Sequence, residues 1–111
     1  MPNTRITRLL EFLKSEPNDP FLNYALATEY LVLGEPGLAL TYFEELIKNH
    51  SDYVGTYYHL GKLYETLGRK EDAITTYQQG INVATKQQNA HARSELQAVY
   101  QLAMGMDYED D

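Results

Sequence analysis

Two consecutive segments of this chain carry the same pattern of residues 34 positions apart, and this internal repeat restricts the fold more than any other feature. Residues 20–53 align without a gap on residues 54–87. The matched positions hold identical or similar residues: Leu26 with Leu60, Tyr30 with Tyr64, Leu33 and Gly34 with Leu67 and Gly68, Ala39 with Ala73, and Phe43 with Tyr77. A repeat of this length buries its apolar face against its neighbours, so we expect a stacked array.

Two glycines of the second repeat indicate where its helices pack and where they end. Tyr57, Leu60, Gly61 and Tyr64 fall within one arc of a helix, so Gly61 is predicted to let a neighbouring helix approach closely. Gly68 instead stands where the periodic pattern restarts, as Gly34 does in the first repeat. Both are therefore predicted to end a helix in the left-handed conformation.

The second helix of each repeat is predicted to start at residues suited to a first helical turn. Pro36 loses no hydrogen bond in that place, and the carboxylates of Glu71 and Asp72 complement the positive end of the helix dipole.

The flanks of the repeats are predicted to supply the helices that cover the ends of the array. Residues 4–15 form a leading helix with one apolar stripe, and residues 89–106 form a capping helix with a polar outer face. The two stripes contain Ile6, Leu9, Leu10 and Leu13, and Ala92, Leu96, Val99, Ala103 and Met106. We thus expect an all-α chain of about six helices, one domain over residues 1–106, and a solvated acidic tail over 107–111.

The period and the spaced residues resemble those of the tetratricopeptide repeat family. The second repeat carries the resemblance most fully, through Tyr57, Leu60, Gly61, Tyr64, Gly68, Ala73 and Tyr77. This resemblance implies a superhelix of α-helical hairpins. It also implies a concave groove lined by positions two, five, nine and twelve of each repeat, which here are Phe21, Tyr24, Thr28 and Leu31, then Gly55, Tyr58, Lys62 and Glu65.

Such a tyrosine-lined groove suggests a protein-interaction module that binds a peptide or protein segment, with Lys62 facing an acidic group. The alternative for the aromatic residues is core packing, chiefly of Phe21 and Leu31 against the leading helix. The alternative for the whole chain is self-association into a homo-oligomer, since a tyrosine-lined surface suits either role. The lysine and asparagine of the family's carboxylate clamp are absent, because Tyr24 and Thr28 stand in their places.

Composition and motifs exclude several other classes of function. The 111 residues include no cysteine, and the net charge of −7 disfavours nucleic acid as a partner. No apolar run is long enough for a membrane span or a signal peptide, so we expect a cytoplasmic protein. His50, His59 and His91 form no metal-binding pair, and no catalytic or cofactor motif is present, so we expect neither cofactor nor metal. A small enzyme or enzyme subunit is the least favoured interpretation.

Overall fold

A computed structural model describes residues 4–105 of the chain and places six α-helices in them. Their bounds are α1 Thr4–Ser15, α2 Pro20–Val32, α3 Pro36–Asn49, α4 Gly55–Thr66, α5 Lys70–Lys86 and α6 Ala90–Met104. The expected all-α fold of sequential helical hairpins is confirmed. The proposed end of the capping helix at Met106 and the acidic tail over 107–111 lie outside the described residues.

Contacts between Cα atoms divide the chain into two compact units that meet between Tyr53 and Val54. This boundary falls where the two repeats meet in the sequence. The single domain over residues 1–106 stays a prediction.

The first unit consists of α1, α2 and α3, with α2 in contact with both of the others. Its core is a cluster of aliphatic side chains from α1 and α2, together with two almost fully buried residues of α3. The members are Ile6, Leu9, Leu22, Ala25, Leu26, Phe43 and Leu46. The stripe predicted for the leading helix therefore faces α2 through Ile6 and Leu9, whereas Leu10 is exposed.

The second unit consists of α4, α5 and α6, and each of these helices contacts the other two. All four residues predicted for the packing face of α4 are buried: Tyr57, Leu60, Gly61 and Tyr64. On α6 the inward side chains are Leu96, Val99 and Ala103. The predicted polar outer face of α6 consists of Arg93, Gln97 and Gln101, which are exposed.

The ends of α2 and α4 confirm the predicted turn glycines. Gly34 and Gly68 have φ angles of +78° and +76°, in the left-handed region. The N–H group of Glu35 donates to the carbonyl oxygen of Tyr30 at 2.9 Å, and the N–H group of Arg69 donates to that of Tyr64 at 2.8 Å. These bonds, which span six residues, define a Schellman motif that satisfies the carbonyl groups at the helix ends.

The end of α5 repeats this motif without a glycine. Gln88 adopts a φ of +57°, and the N–H group of Asn89 donates to the carbonyl oxygen of Ala84 at 2.9 Å. A side chain is disfavoured in the left-handed region, because its Cβ approaches the following carbonyl oxygen. Gln88 therefore adopts a left-handed backbone conformation that is less costly for glycine.

Helix starts follow the chemistry expected for a first turn. Pro36 is the first residue of α3, and Glu71 and Asp72 lie in the first turn of α5, as predicted. Two side-chain caps were not predicted from the sequence. Asp19 caps α2, and the side-chain oxygen of Asn89 accepts a 3.0 Å hydrogen bond from the N–H group of Ala92 on α6.

Candidate functional site

The start of α2 determines where Phe21 lies. The carboxylate of Asp19 accepts hydrogen bonds from the N–H groups of Phe21 at 2.8 Å and Leu22 at 3.2 Å, so the helix begins directly before these residues. Leu22 points into the core, whereas the side chain of Phe21 is 58% exposed. An exposed aromatic ring on a capped first turn is available for contact with another molecule.

Tyr24 has two aromatic neighbours within the first unit. Its ring makes an edge contact with the fully buried ring of Phe43, at a centroid distance of 6.4 Å, and a tilted contact with Tyr53 at 5.4 Å. Burial raises the pKa of Tyr24 above its ordinary value, and the neighbouring Tyr53 raises it further. The ring of Tyr24 is half-buried and takes part in aromatic packing within the first unit, and its role as a contact residue stays a prediction.

Thr28 and Leu31 complete the predicted positions on α2 and are both half-buried. The hydroxyl group of Thr28 donates to the carbonyl oxygen of Ala25 at 3.0 Å, within its own helix. Of the four residues predicted on α2, only Phe21 is classed as exposed.

On α4, the predicted positions Tyr58 and Lys62 lie one helical turn apart. Tyr58 is half-buried, and its ring makes an edge contact with the imidazole of His59 at a centroid distance of 5.6 Å. Lys62 is exposed, and its ammonium group forms no ion pair with any of residues 4–105. Residues four apart on a helix are surface neighbours, so the ring and the free charge form one short strip.

Glu65, the last predicted position on α4, has a role inside the second unit. Its carboxylate accepts a 2.5 Å hydrogen bond from the hydroxyl group of Tyr77, whose side chain is fully buried. Burial and this hydrogen bond both raise the pKa of the Tyr77 hydroxyl. Glu65 therefore satisfies a polar group that would otherwise be costly to bury.

Two glycines, Gly61 on α4 and Gly80 on α5, allow α4 to approach its neighbouring helices closely. A Cβ atom on Gly61 would overlap the ring of Tyr77, which confirms the predicted close approach at Gly61. A Cβ atom on Gly80 would lie 2.5 Å from Cβ of Tyr57 and 3.0 Å from Cδ1 of Leu96. Gly80 was not identified from the sequence, although a glycine inside a helix is itself a signal because it costs about 1 kcal/mol relative to alanine.

Within residues 4–105, no group of three or more histidine, aspartate or glutamate side chains could hold a metal ion. None of the six helices there combines the length and the apolar character needed to cross a lipid bilayer.

Sequential helical hairpins with contact glycines and left-handed helix ends define the class of helical repeat proteins. Residues 54–87 match the family description of the tetratricopeptide repeat. The crystal structure of a tetratricopeptide repeat domain protein from Salinibacter ruber is similar to this chain, with a sequence identity of 53% and a TM-score of 0.76. The match covers 80% of this chain and 99% of that chain. This chain therefore belongs to the tetratricopeptide repeat family.

Other solved structures agree. A solution NMR structure of a tetratricopeptide repeat domain protein from Salinibacter ruber is 50% identical, covers 86% of this chain and 96% of that chain, and has a TM-score of 0.77. A crystal structure of MamA protein shares the fold, at 23% identity over 95% of this chain and 56% of that chain, with a TM-score of 0.72. The comparison with curated proteins gave no match.

Proposed function

We propose that this chain is a non-catalytic adaptor or scaffold that binds a peptide or protein segment through the strip formed by Tyr58 and Lys62 on α4. Domains of the tetratricopeptide repeat family are in general protein-interaction modules. The observation that carries the proposal is the exposed ammonium group of Lys62, which has no ion-pair partner within residues 4–105, one turn from the half-buried ring of Tyr58.

The chemistry of this strip favours a partner segment with a carboxylate beside an apolar side chain. A tyrosine ring supplies a large contact area and loses little conformational entropy on binding, because it has few rotatable bonds. The ammonium group of Lys62 can form a charge-assisted hydrogen bond with an aspartate, a glutamate or a terminal carboxylate. Glu65 supports the strip indirectly, since it holds the buried Tyr77 in place.

The first unit contributes Phe21 as a separate contact residue in this proposal. Tyr24 acts mainly through packing in this proposal, because its ring contacts Phe43 and Tyr53. Thr28 and Leu31 are half-buried on the same helix. We place the protein in the cytoplasm as part of the same proposal, and its lack of cysteine is compatible with that reducing compartment.

The test is a pull-down from a lysate of the native cells with immobilised protein in four forms. These are the wild type, Tyr58→Ala, Lys62→Glu, and the control Lys70→Glu, which reverses the charge of another exposed lysine. The proposal requires that Tyr58→Ala and Lys62→Glu lose the same captured proteins and that Lys70→Glu keeps them. An identical set of captured proteins for all four forms would exclude the α4 strip.

Self-association is the second candidate function, and one observation on α6 favours it. Leu102 is 60% exposed and Met104 is 43% exposed on the last turns of that helix. A second copy of the chain could cover such an exposed apolar side chain. Sedimentation at several protein concentrations tests this candidate: a concentration-dependent dimer that Leu102→Gln abolishes would support it, and a monomer throughout would exclude it.

A further inference from the structure

A groove runs between α1 and α2 of the first unit, and none of its lining residues belongs to the α4 strip. It has a volume of about 520 Å³ and is lined by Thr4, Arg5, Arg8, Leu9, Phe12, Phe21 and Ala25. Phe12 and Phe21, from the two different helices, are 60% and 58% exposed. Two aromatic side chains that face water in one groove form an apolar surface that a partner could bury.

One wall of the groove is basic although the protein carries a net charge of −7. Arg5 pairs with Glu29 of α2 at 2.8 Å, and its side chain remains 66% exposed. Arg8 is exposed and forms no ion pair with any of residues 4–105. A guanidinium group binds a carboxylate through two parallel hydrogen bonds, so this wall is complementary to acidic side chains.

In the second unit, the equivalent groove between α5 and α6 is occupied by another helix, α4. There, α4 contacts both α5 and α6, and Cβ of Tyr57 lies against Gly80 beside Leu96. The pair α1 and α2 has the same order as the pair α5 and α6, a second helix followed by the first helix of the next repeat. Within residues 4–105, the α1–α2 groove has no helix that corresponds to α4.

The residues of α1 that line the groove differ from their equivalents on α5. Two repeat periods separate Arg5 from Ala73, Arg8 from Thr76, and Phe12 from Gly80. On α5 these three residues are small and buried, which lets α4 approach closely. On α1 they are long and charged or aromatic, so a helix in this groove needs carboxylates opposite the arginines and a small residue opposite Phe12.

We propose that the α1–α2 groove is a docking site for an amphipathic helix of a partner protein, with acidic residues along one edge and a small residue facing Phe12. The apolar face of that helix covers Phe12, Leu9 and Phe21, and its carboxylates meet Arg8 and the exposed side of Arg5. This is helix-in-groove recognition, in which apolar anchors supply affinity and the charged edge sets orientation.

The test uses a phage-displayed library of 16-residue helices, with leucine fixed along one face and the other positions varied. Helices selected on the wild-type protein are measured by fluorescence anisotropy against wild type, Arg8→Glu, Phe12→Ala and the control Lys14→Glu. Lys14 is exposed on the same helix and does not line the groove. We expect acidic residues along one edge of the selected helices, and binding weakened about tenfold or more by Arg8→Glu and by Phe12→Ala but not by Lys14→Glu.

Several results would overturn the proposal. Selected helices that bind Arg8→Glu as tightly as wild type would show that the basic wall is not used, and a library that yields no binder would exclude a helical occupant. A dimer in sedimentation that Arg8→Glu abolishes would assign the groove to a second copy of the chain instead. Circular dichroism must show that Arg8→Glu and Phe12→Ala keep their helix content, and Phe12→Leu, which retains an apolar side chain, should bind more tightly than Phe12→Ala.

Discussion

The ring of Tyr77 on α5 lies against the backbone of Gly61 on α4, in the space that a Cβ atom on residue 61 would occupy. Tyr77 is fully buried, and its hydroxyl group reaches Glu65 one turn further along α4. The side chain of Tyr77 therefore contacts α4 at both Gly61 and Glu65. These contacts are possible because residue 61 has no side chain.

We expect Gly61→Ala to destabilise the protein by about 1–3 kcal/mol, because the added methyl group overpacks against the ring of Tyr77. Alanine is the better helix former by about 1 kcal/mol, so a loss of stability isolates the packing effect. The measurement is urea unfolding followed by circular dichroism. The control is Gly37→Ala in the first turn of α3, where a Cβ atom would meet nothing within 4 Å, so stability should stay constant or rise. A higher melting temperature for Gly61→Ala would contradict this account.

Gln88→Gly should stabilise the protein by about 0.5–1 kcal/mol, because glycine adopts the observed left-handed backbone without the steric cost of a side chain. The matched control is Gln78→Gly, at an exposed position inside α5, which should destabilise by about 1 kcal/mol. Chemical denaturation of both variants measures the difference. Equal destabilisation by the two changes would show that Gln88 is not held in the left-handed conformation.

Stability should fall in alkaline solution through Tyr77. Burial and the hydrogen bond to Glu65 raise the pKa of Tyr77 in the folded state above the ordinary value of 10.0. Above that pH the unfolded chain releases this proton while the folded chain keeps it, so the free energy of unfolding decreases as the pH rises. Urea titrations between about pH 8 and pH 11 should show a smaller decrease for Tyr77→Phe than for wild type. An unchanged slope would mean that Tyr77 does not contribute to the pH dependence.

Tyr24→Ala should destabilise the first unit by about 2 kcal/mol or more, because it removes the aromatic contacts with Phe43 and Tyr53. Lys62→Ala, at an exposed position on α4, should change stability by no more than about 0.5 kcal/mol. Thermal unfolding of the two variants separates a packing residue from a surface residue. If Tyr24→Ala melts at the wild-type temperature, its ring is available for binding, and the assignment of Tyr24 to packing is wrong.

The N-cap of α2 provides a further check on local structure. Asp19→Ala removes the acceptor for the N–H groups of Phe21 and Leu22, and we expect a loss of about 1 kcal/mol. Asp19→Asn keeps an oxygen acceptor and should recover most of this stability. The comparison is made by urea unfolding, and equal losses for both variants would indicate that the hydrogen bonds contribute little.

The sequence by itself determined the helices, their order and the two glycines that end α2 and α4. The helical spacing of Tyr57, Leu60 and Tyr64 is local information, because a helix places residues three and four apart on one face. Gly34 and Gly68 were predictable for a similar reason, since only glycine adopts a left-handed backbone at little cost. These features depend on neighbouring residues in the chain alone.

Only the tertiary structure decided which predicted contact residues are exposed and which are engaged in packing. Tyr24 and Tyr58 occupy equivalent positions in the two repeats, yet Tyr24 packs against Tyr53 and Tyr58 contacts only the neighbouring His59 among the aromatic pairs described. Glu65, another predicted contact residue, accepts a hydrogen bond from the hydroxyl group of Tyr77. The distance between two helices cannot be read from the sequence, and so the contact between Gly80 and Tyr57 was not predictable. Such contacts arise when whole helices settle at the separation that their smallest residues permit, and that separation is a property of the assembled fold.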